Sequence, residues 1–320
     1  PQNSWMKEVV LGIDIGGTGI KFGLVDREGN IVASDKAKTK GYPNPDMLPA
    51  DLLKWSNEQC SALQLKTIGV GIGTPNGNYY KGTIDFAPNL PWKGVIPLKE
   101  YYEKAFSLPV ALTNDAKAAA LGEMIFGAAK GMKDFIFITL GTGLGSGIVV
   151  NGNIAYGYDS LAGEVGHTIV YRNGRECPCG RRGCLEQYVS APGIVKTYYE
   201  LVRHQNLDEF RTSIGNMIDS AEVYKKAVEG DTIALEAFTK TGEILGFALS
   251  NSVCYTRPEK IFLFGGLAQA GDLLFKPTIK SFESYLLPIY KNKIPIVPSG
   301  LKESEAAILG SASLILKELN

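Results

Sequence analysis

One pattern occurs twice in this chain and limits what it can fold into. The apolar run Val9 to Ile15 reads as a buried strand, Gly16, Gly17, Thr18 and Gly19 as a turn, and Ile20 to Asp26 as a returning strand. A turn at Gly29 and Asn30 leads into a third strand. The plan recurs as Phe135 to Leu140, the glycine-rich Gly141, Thr142, Gly143, Leu144 and Gly145, the strand Ser146 to Val150, and Gly152 with Asn153. Both copies end on Gly-Asn-Ile, at Gly29 to Ile31 and at Gly152 to Ile154. A second correspondence sets Thr67 to Ile72, followed by Gly73 to Gly77, against Lys260 to Phe264, followed by Gly265, Gly266 and Leu267. The expectation is an internal duplication: an α/β chain of two domains, each a mixed sheet with flanking helices, and a ligand cleft between them.

Glycine-rich turns expose backbone amides without side chains, and converging amides bind anions such as phosphate. The hydroxyls of Thr18 and Thr142 would add donors. Either loop alone reads more readily as a tight hairpin turn; two matched loops point to phosphate. Neither fits the Walker pattern, and no G-x-G-x-x-G fingerprint follows a strand.

The run Glu164, Val165, Gly166, His167 is followed closely by Cys177, Pro178, Cys179, Gly180, Arg181, Arg182, Gly183, Cys184, Leu185, Glu186. Three of the five cysteines fall here, among Gly, Pro and Arg where core thiols would have apolar neighbours. His167, Cys177, Cys179 and Cys184 supply a tetrahedral zinc set with no open position, so the expected zinc is structural. Disulfides are the alternative. The chain shows no secretory signal and no apolar stretch of membrane-spanning length, so a reducing cytoplasm is expected.

Composition narrows the partners. The 320 residues, 45% hydrophobic, suffice for two cored domains, and 33 basic residues balance 33 acidic ones. No footprint for nucleic acid or an anionic membrane appears, which favours a small-molecule partner. Met6 is the expected native start, with Pro1 to Trp5 an added remnant.

Asp14 to Thr18, Asn114 with Asp115, Leu140 to Gly147, Glu164 to His167, the CPCGRRGC block with Leu185 and Glu186, and Gly265 to Gly271 together resemble the ROK family of sugar kinases and sugar-responsive repressors. The resemblance covers nearly the whole chain and implies the two-domain actin/hexokinase-like ATPase fold, with the active site in the interdomain cleft. The smaller domain would comprise residues 1–113 and a terminal helix 304–320, the larger one residues 114–303.

Read alone, Asp115 is a helix N-cap between the apolar strand Leu108 to Leu112 and the alanine-rich helix Ala116 to Ala129, worth ~1 kcal/mol. The resemblance implies instead that Asp115 is the base for a sugar 6-hydroxyl attacking the γ-phosphate of ATP. It further implies that Asn89, Asn114, Asp115, Glu164, His167 and Glu186 contact the hexose. Asp14, Gly16, Gly17, Thr18, Gly141, Thr142, Gly143, Gly265 and Gly266 would receive the nucleotide, Asp14 through Mg²⁺ or its waters. The zinc would leave one imidazole nitrogen of His167 for a sugar hydroxyl.

The implied activity is ATP-dependent phosphorylation of glucose. N-acetylmannosamine or fructose kinases share the scaffold, and Thr18-Gly19-Ile20-Lys21 resembles the loop of polyphosphate-using glucokinases, which leaves polyphosphate as a second donor. A sugar-sensing repressor would need a helix-turn-helix region ahead of Asp14, where only about a dozen residues stand. A sensor without such a region is the reading of another class. A homodimer is expected. The stretch Ile194 to Glu229 reads as helical without chemical motifs, and His204 as a surface residue.

Overall fold

The structure, a computed structural model, describes residues 6–205, 207–213 and 216–320; the remnant expected at Pro1 to Trp5 lies outside them. The chain opens with β1 (Lys7–Ile15), β2 (Gly19–Asp26), β3 (Ile31–Lys38), α1 (Met47–Leu63) and β4 (Leu65–Thr74). The short strands β5 (Gly77–Asn78), β6 (Thr83–Asp85) and β7 (Val95–Ile96) make a small antiparallel sheet of their own. Then come α2 (Leu98–Phe106), β8 (Val110–Asn114), α3 (Asp115–Phe126), β9 (Phe135–Leu140), β10 (Leu144–Val150) and β11 (Asn153–Ile154). Four helices follow, α4 (Ala191–Gln205), α5 (Leu207–Ser213), α6 (Ser220–Val228) and α7 (Thr232–Thr256). The chain ends with β12 (Lys260–Phe264), α8 (Asp272–Tyr285), β13 (Ile296–Pro298) and α9 (Ala306–Glu318).

The two main sheets have one topology. Their orders are β3-β2-β1-β4-β8 and β11-β10-β9-β12-β13. In each, the first hairpin is antiparallel, pairing Ile15 with Ile20 and Leu140 with Leu144. The later strands, β4 and β8 in one sheet and β12 and β13 in the other, run parallel to the first. Both glycine turns therefore span three residues, Gly16 to Thr18 and Gly141 to Gly143, and β10 starts at Leu144, earlier than the expected Ser146. The strand expected over Leu108 to Leu112 lies instead at Val110–Asn114. The helix after it ends before Ala129, because the Glu123 carboxylate turns back to accept the Ala128 amide at 2.9 Å.

The chain divides into two compact units. The first runs through Met132 and takes in Ile154–Gly163 and Gly300–Asn320; the second is Lys133–Asn153 with Glu164–Ser299. Residues 114–132, assigned above to the larger domain, thus group with the first unit. The reason is α3, which continues directly from β8 and packs on α9 through glycines. A Cβ on Gly122 would stand 3.0 Å from the Gly310 Cα, and one on Gly310 would stand 2.8 Å from the Ala118 carbonyl. The return of Ile154–Gly163 carried no sequence signal. It is held by the Tyr79 amide donating to Ser160 Oγ (2.8 Å), Lys117 Nζ donating to the Ser160 carbonyl (2.7 Å) and Tyr156 stacked on Tyr79.

In the first unit β1 and β4 are buried on both faces, which explains their nearly unbroken apolar runs. Leu48 and Leu52 of α1 with Leu98, Tyr102 and Phe106 of α2 join this core. On β4, α9 lies so close that a Cβ on Gly71 would fall on the Ser311 carbonyl. The second unit packs β9 and β12 against α4, α7 and α8, whose buried residues form one continuous cluster. His204 is exposed on α4, as expected.

Asp26 ends β2 fully buried. Its carboxylate accepts from Lys7 Nζ (2.7 Å), from the amides of Glu28 and Asn30 and from Asn30 Nδ2. Burial raises its pKa, but the Lys7 and Asn30 hydrogen bonds outweigh that and hold it at about 2.

Two stability outcomes follow from this packing. Gly71→Ala should cost about 3 kcal/mol by forcing α9 off the sheet, whereas Gly41→Ala, with open space around it, should leave thermal unfolding nearly unchanged. Asp26→Ala should cost about 2 kcal/mol at neutral pH. Because the folded pKa is depressed, the parent's advantage over that variant should be complete above the ordinary carboxylate range and shrink as pH falls toward 2, read from unfolding midpoints.

Candidate functional site

In the first unit the residues singled out above collect at the C-terminal ends of β1 and β8. Asp14 is the penultimate residue of β1, paired across the hairpin with Lys21. The turn after it is closed by the Gly16 amide donating to the Gly19 carbonyl at 2.9 Å, and Thr39 Oγ1 donates to the Gly16 carbonyl at 2.7 Å. Asn114 caps α3, its Oδ1 accepting from the Ala116 amide (3.0 Å) and the Lys117 amide (3.4 Å). Asp115 Oδ1 also accepts from the Ala116 amide, at 2.8 Å. The N-cap role considered for Asp115 therefore belongs mainly to Asn114.

The electrostatics of the two aspartates are linked. Burial, and then the nearby Asp115 carboxylate, pushes Asp14 up to about 7, with Lys21 opposing. Asp115 has solvent-exposed side-chain surface, yet the protein around it raises its pKa by desolvation against the hydrogen bonds it accepts. Exposed surface and raised pKa are compatible where surrounding protein desolvates a carboxylate that still meets solvent. Reachability matters for meeting a substrate, and crowding for basicity.

Asn89 is exposed on a loop anchored by buried Leu90 and Trp92, with Trp92 Nε1 donating to the Tyr42 carbonyl at 2.8 Å. That loop presses on the glycine turn, since a Cβ on Gly17 would stand 2.6 Å from the Asn89 carbonyl.

In the second unit, the Gly141 amide donates to the Gly143 carbonyl at 3.0 Å, a turn one residue tighter than that closed by Gly16 and Gly19. Glu186 Oε2 accepts from the Leu144 amide at 2.9 Å and occupies the space a Cβ on Gly143 would need, 2.5 Å away. Glu164 is exposed just before the short 3₁₀ turn Val165–His167, and the Val165 amide donates to Ser146 Oγ on β10. The Leu185 amide donates to the Thr168 carbonyl at 2.9 Å, fastening the segment of Glu186 to that of His167. Gly265 has a left-handed φ of 101°, and a Cβ there would lie 2.5 Å from the Leu140 carbonyl, whereas Gly266 faces open space.

His167, Cys177, Cys179 and Cys184 bring one donor atom each within 4.8 Å of one another. Cys179 Sγ and Cys184 Sγ are 3.7 Å apart, and Cys177 Sγ stands 3.8 Å from His167 Nδ1. Four donors about 2.3 Å from a central ion have tetrahedral edges of about 3.8 Å, so the set fits zinc. Burial, and then the neighbouring thiols, push Cys184 up to about 12, so its sulfur would need a cation to become a thiolate, whereas at Cys179 burial is outweighed by hydrogen bonds from the Arg181 amide and the neighbouring thiols, which hold it below its usual range. Since Nδ1 faces the thiols, Nε2 is the imidazole nitrogen left for another partner.

Arg175 had no place in the sequence reading. Its guanidinium donates to the Gln187 carbonyl (2.6 Å), the Gly193 carbonyl, Thr197 Oγ1 and both oxygens of Glu200, and it lies over the Tyr188 ring. It ties the cysteine loop to α4. An arginine amid the charged residues of that loop carries no signal of such a role. Lys21 was legible only as a loop letter, because its tie to Asp14 depends on hairpin register.

Among the described residues no helix is long and apolar enough to cross a membrane. The sequence is 34% identical over 317 residues to the glucokinase of Halalkalibacterium halodurans, covering 97% of this chain and 96% of that one. It is 30% identical to the xylose repressor of Caldicellulosiruptor bescii, covering 97% of this chain and 78% of the repressor. The crystal structure of a ROK family glucokinase from Streptomyces griseus in complex with glucose and AMPPNP superposes with a TM-score of 0.76 at 31% identity, covering 96% of this chain and 98% of the other. Both sheets thus have the actin/hexokinase-like ATPase fold. The ROK family description matches residues 10–318, and with that length matched this chain belongs to the ROK family.

Proposed function

We propose that the protein is an ATP-dependent hexose kinase that phosphorylates the 6-hydroxyl, with glucose as the hexose. The observation that carries this reading is Asp115, a reachable carboxylate with raised basicity at the start of α3. A protein that only binds sugar has no need of such a base. Similarity to a glucokinase structure holding glucose and AMPPNP supports the choice of both substrates.

In the proposed reaction the sugar O6 attacks the γ-phosphorus, the bond to the bridging oxygen breaks, and ADP leaves. The hydroxyl proton passes to Asp115, whose Oδ1 is engaged by the Ala116 amide, which leaves Oδ2 for the sugar. Asn89, Asn114, Glu164, His167 through Nε2, and Glu186 through Oε1 would fix the other hydroxyls. Gly16, Gly17, Thr18, Gly141, Thr142 and Gly143 would receive the phosphates, and Gly265 with Gly266 the adenosine.

Asp14 suits Mg²⁺ because its ionised form is disfavoured beside Asp115 and a cation would restore it. The ion would supply charge neutralisation at the phosphates. Zinc on His167, Cys177, Cys179 and Cys184 would be structural, orienting His167 and Glu186. The exposed apolar residues Tyr285, Leu287 and Ile289 support a homodimer.

Similarity to the xylose repressor favours one second reading, a sugar sensor without turnover. A coupled assay over glucose, mannose, fructose, N-acetylglucosamine and N-acetylmannosamine separates the two. Sugar binding without ADP release from any of them would sink the kinase. Asp115→Asn should lower kcat about 10²–10⁴-fold while sugar binding persists.

Because Asp115 as base and Asp14 as cation partner both act ionised and both have raised pKa values, kcat/KM should fall as pH drops below about 7, to which burial and then Asp115 push Asp14. A profile flat down to the ordinary carboxylate range would contradict the roles assigned to these two carboxylates. Metal analysis should find one zinc per chain, and Cys179→Ser should lose it together with hexose affinity.

A further inference from the structure

In each unit a residue assigned to the sugar is built onto a turn assigned to the nucleotide, and a glycine makes room for it. In the second unit the Glu186 carboxylate fills the space a Cβ on Gly143 would take, 2.5 Å from it, and accepts the Leu144 amide at 2.9 Å. In the first, the Asn89 carbonyl stands 2.6 Å from where a Gly17 Cβ would be. Neither glycine is among the residues of positive φ. The two positions therefore need glycine for the missing side chain and not for backbone freedom.

We propose that these contacts couple the two substrates, with Glu186 as the positioning residue: one carboxylate oxygen holds the phosphate turn while the other serves the sugar. This rests on the kinase reading above. A hydroxyl donating to Oε1 restrains the carboxylate, and through Oε2 the same restraint reaches the Leu144 amide and the turn Gly141 to Gly143. In the first unit, a sugar hydroxyl held by Asn89 steadies a loop that lies against the Gly16 to Thr18 turn. Each substrate thus lowers the ordering cost of binding the other, and linkage makes the effect reciprocal.

Gly143→Ala is the sharpest probe. Its added methyl meets only the end of a flexible side chain, so the turn can persist while the carboxylate is displaced. Calorimetric titration of AMPPNP with Mg²⁺, with and without saturating glucose, reads the coupling directly. The intact protein should bind AMPPNP about tenfold more tightly with glucose present. In Gly143→Ala that ratio should fall toward one, whatever happens to the separate affinities, and glucose itself should bind less tightly. Glu186→Ala removes the acceptor of the Leu144 amide, so AMPPNP affinity should fall severalfold even without sugar.

A uniform structural loss would weaken both titrations equally and leave the ratio intact. Independent binding of the two ligands to the intact protein would overturn the proposal while the kinase reading stands. So would an unchanged ratio in Gly143→Ala, or unchanged sugar-free AMPPNP binding in Glu186→Ala. Failure of the intact protein to bind glucose or AMPPNP at all would remove the kinase reading and this inference with it.

Discussion

Close approach of backbone to backbone is the constraint from which the first unit is built. A sheet buried on both faces gains from helices laid directly on it, and the contact deepens where a side chain is absent. Gly71 on β4, Gly12 on β1, and Gly122 against Gly310 let α9 and α3 sit against the sheet and against each other. With α3 seated this way and its first turn held by Asn114, the position of Asp115 is set by packing. The carboxylate is then placed by the core and not by its own hydrogen bonds alone.

The same units carry groups that are poorly accommodated as they stand. Asp14 is opposed in its ionisation by burial and then by the Asp115 carboxylate, and the three thiols near His167 crowd one another. A fold tolerates such clusters at a cost in stability, and each becomes favourable when a cation neutralises it. Arg175 shows the contrasting solution. Its guanidinium is fully engaged by carbonyls, a hydroxyl and the Glu200 carboxylate, so protein contacts alone give the cysteine loop a seat on α4.

Much of this was legible because strand and turn signals are local. The two hairpins, their glycine turns and the parallel strands after them follow from apolar runs broken by glycine, and the Cys and His residues sit within one short stretch. Features that depend on register or on distant contacts were not. The opposition of Lys21 and Asp14 needs the pairing of β1 with β2. The grouping of α3 with the first unit needs the glycine contact with α9, some 190 residues downstream in sequence. The short strands β5 to β7 and the return of Ile154–Gly163 are too brief for periodicity to reveal. Gly143 was expected among the residues that receive the nucleotide; the room it leaves for the Glu186 carboxylate depends on a contact 43 residues away and carried no sequence signal.

The chain passes between its two units four times, at Met132, Asn153, Gly163 and Ser299, so the second unit is inserted into the first. The helix that seals one face of the first sheet, α9, lies some 230 residues beyond β4 in sequence. During synthesis β1 to β4 emerge long before α9 and cannot be covered on that face until it has been made. The sheet begun first is therefore closed late, and until then its apolar strands stay open to wrong partners.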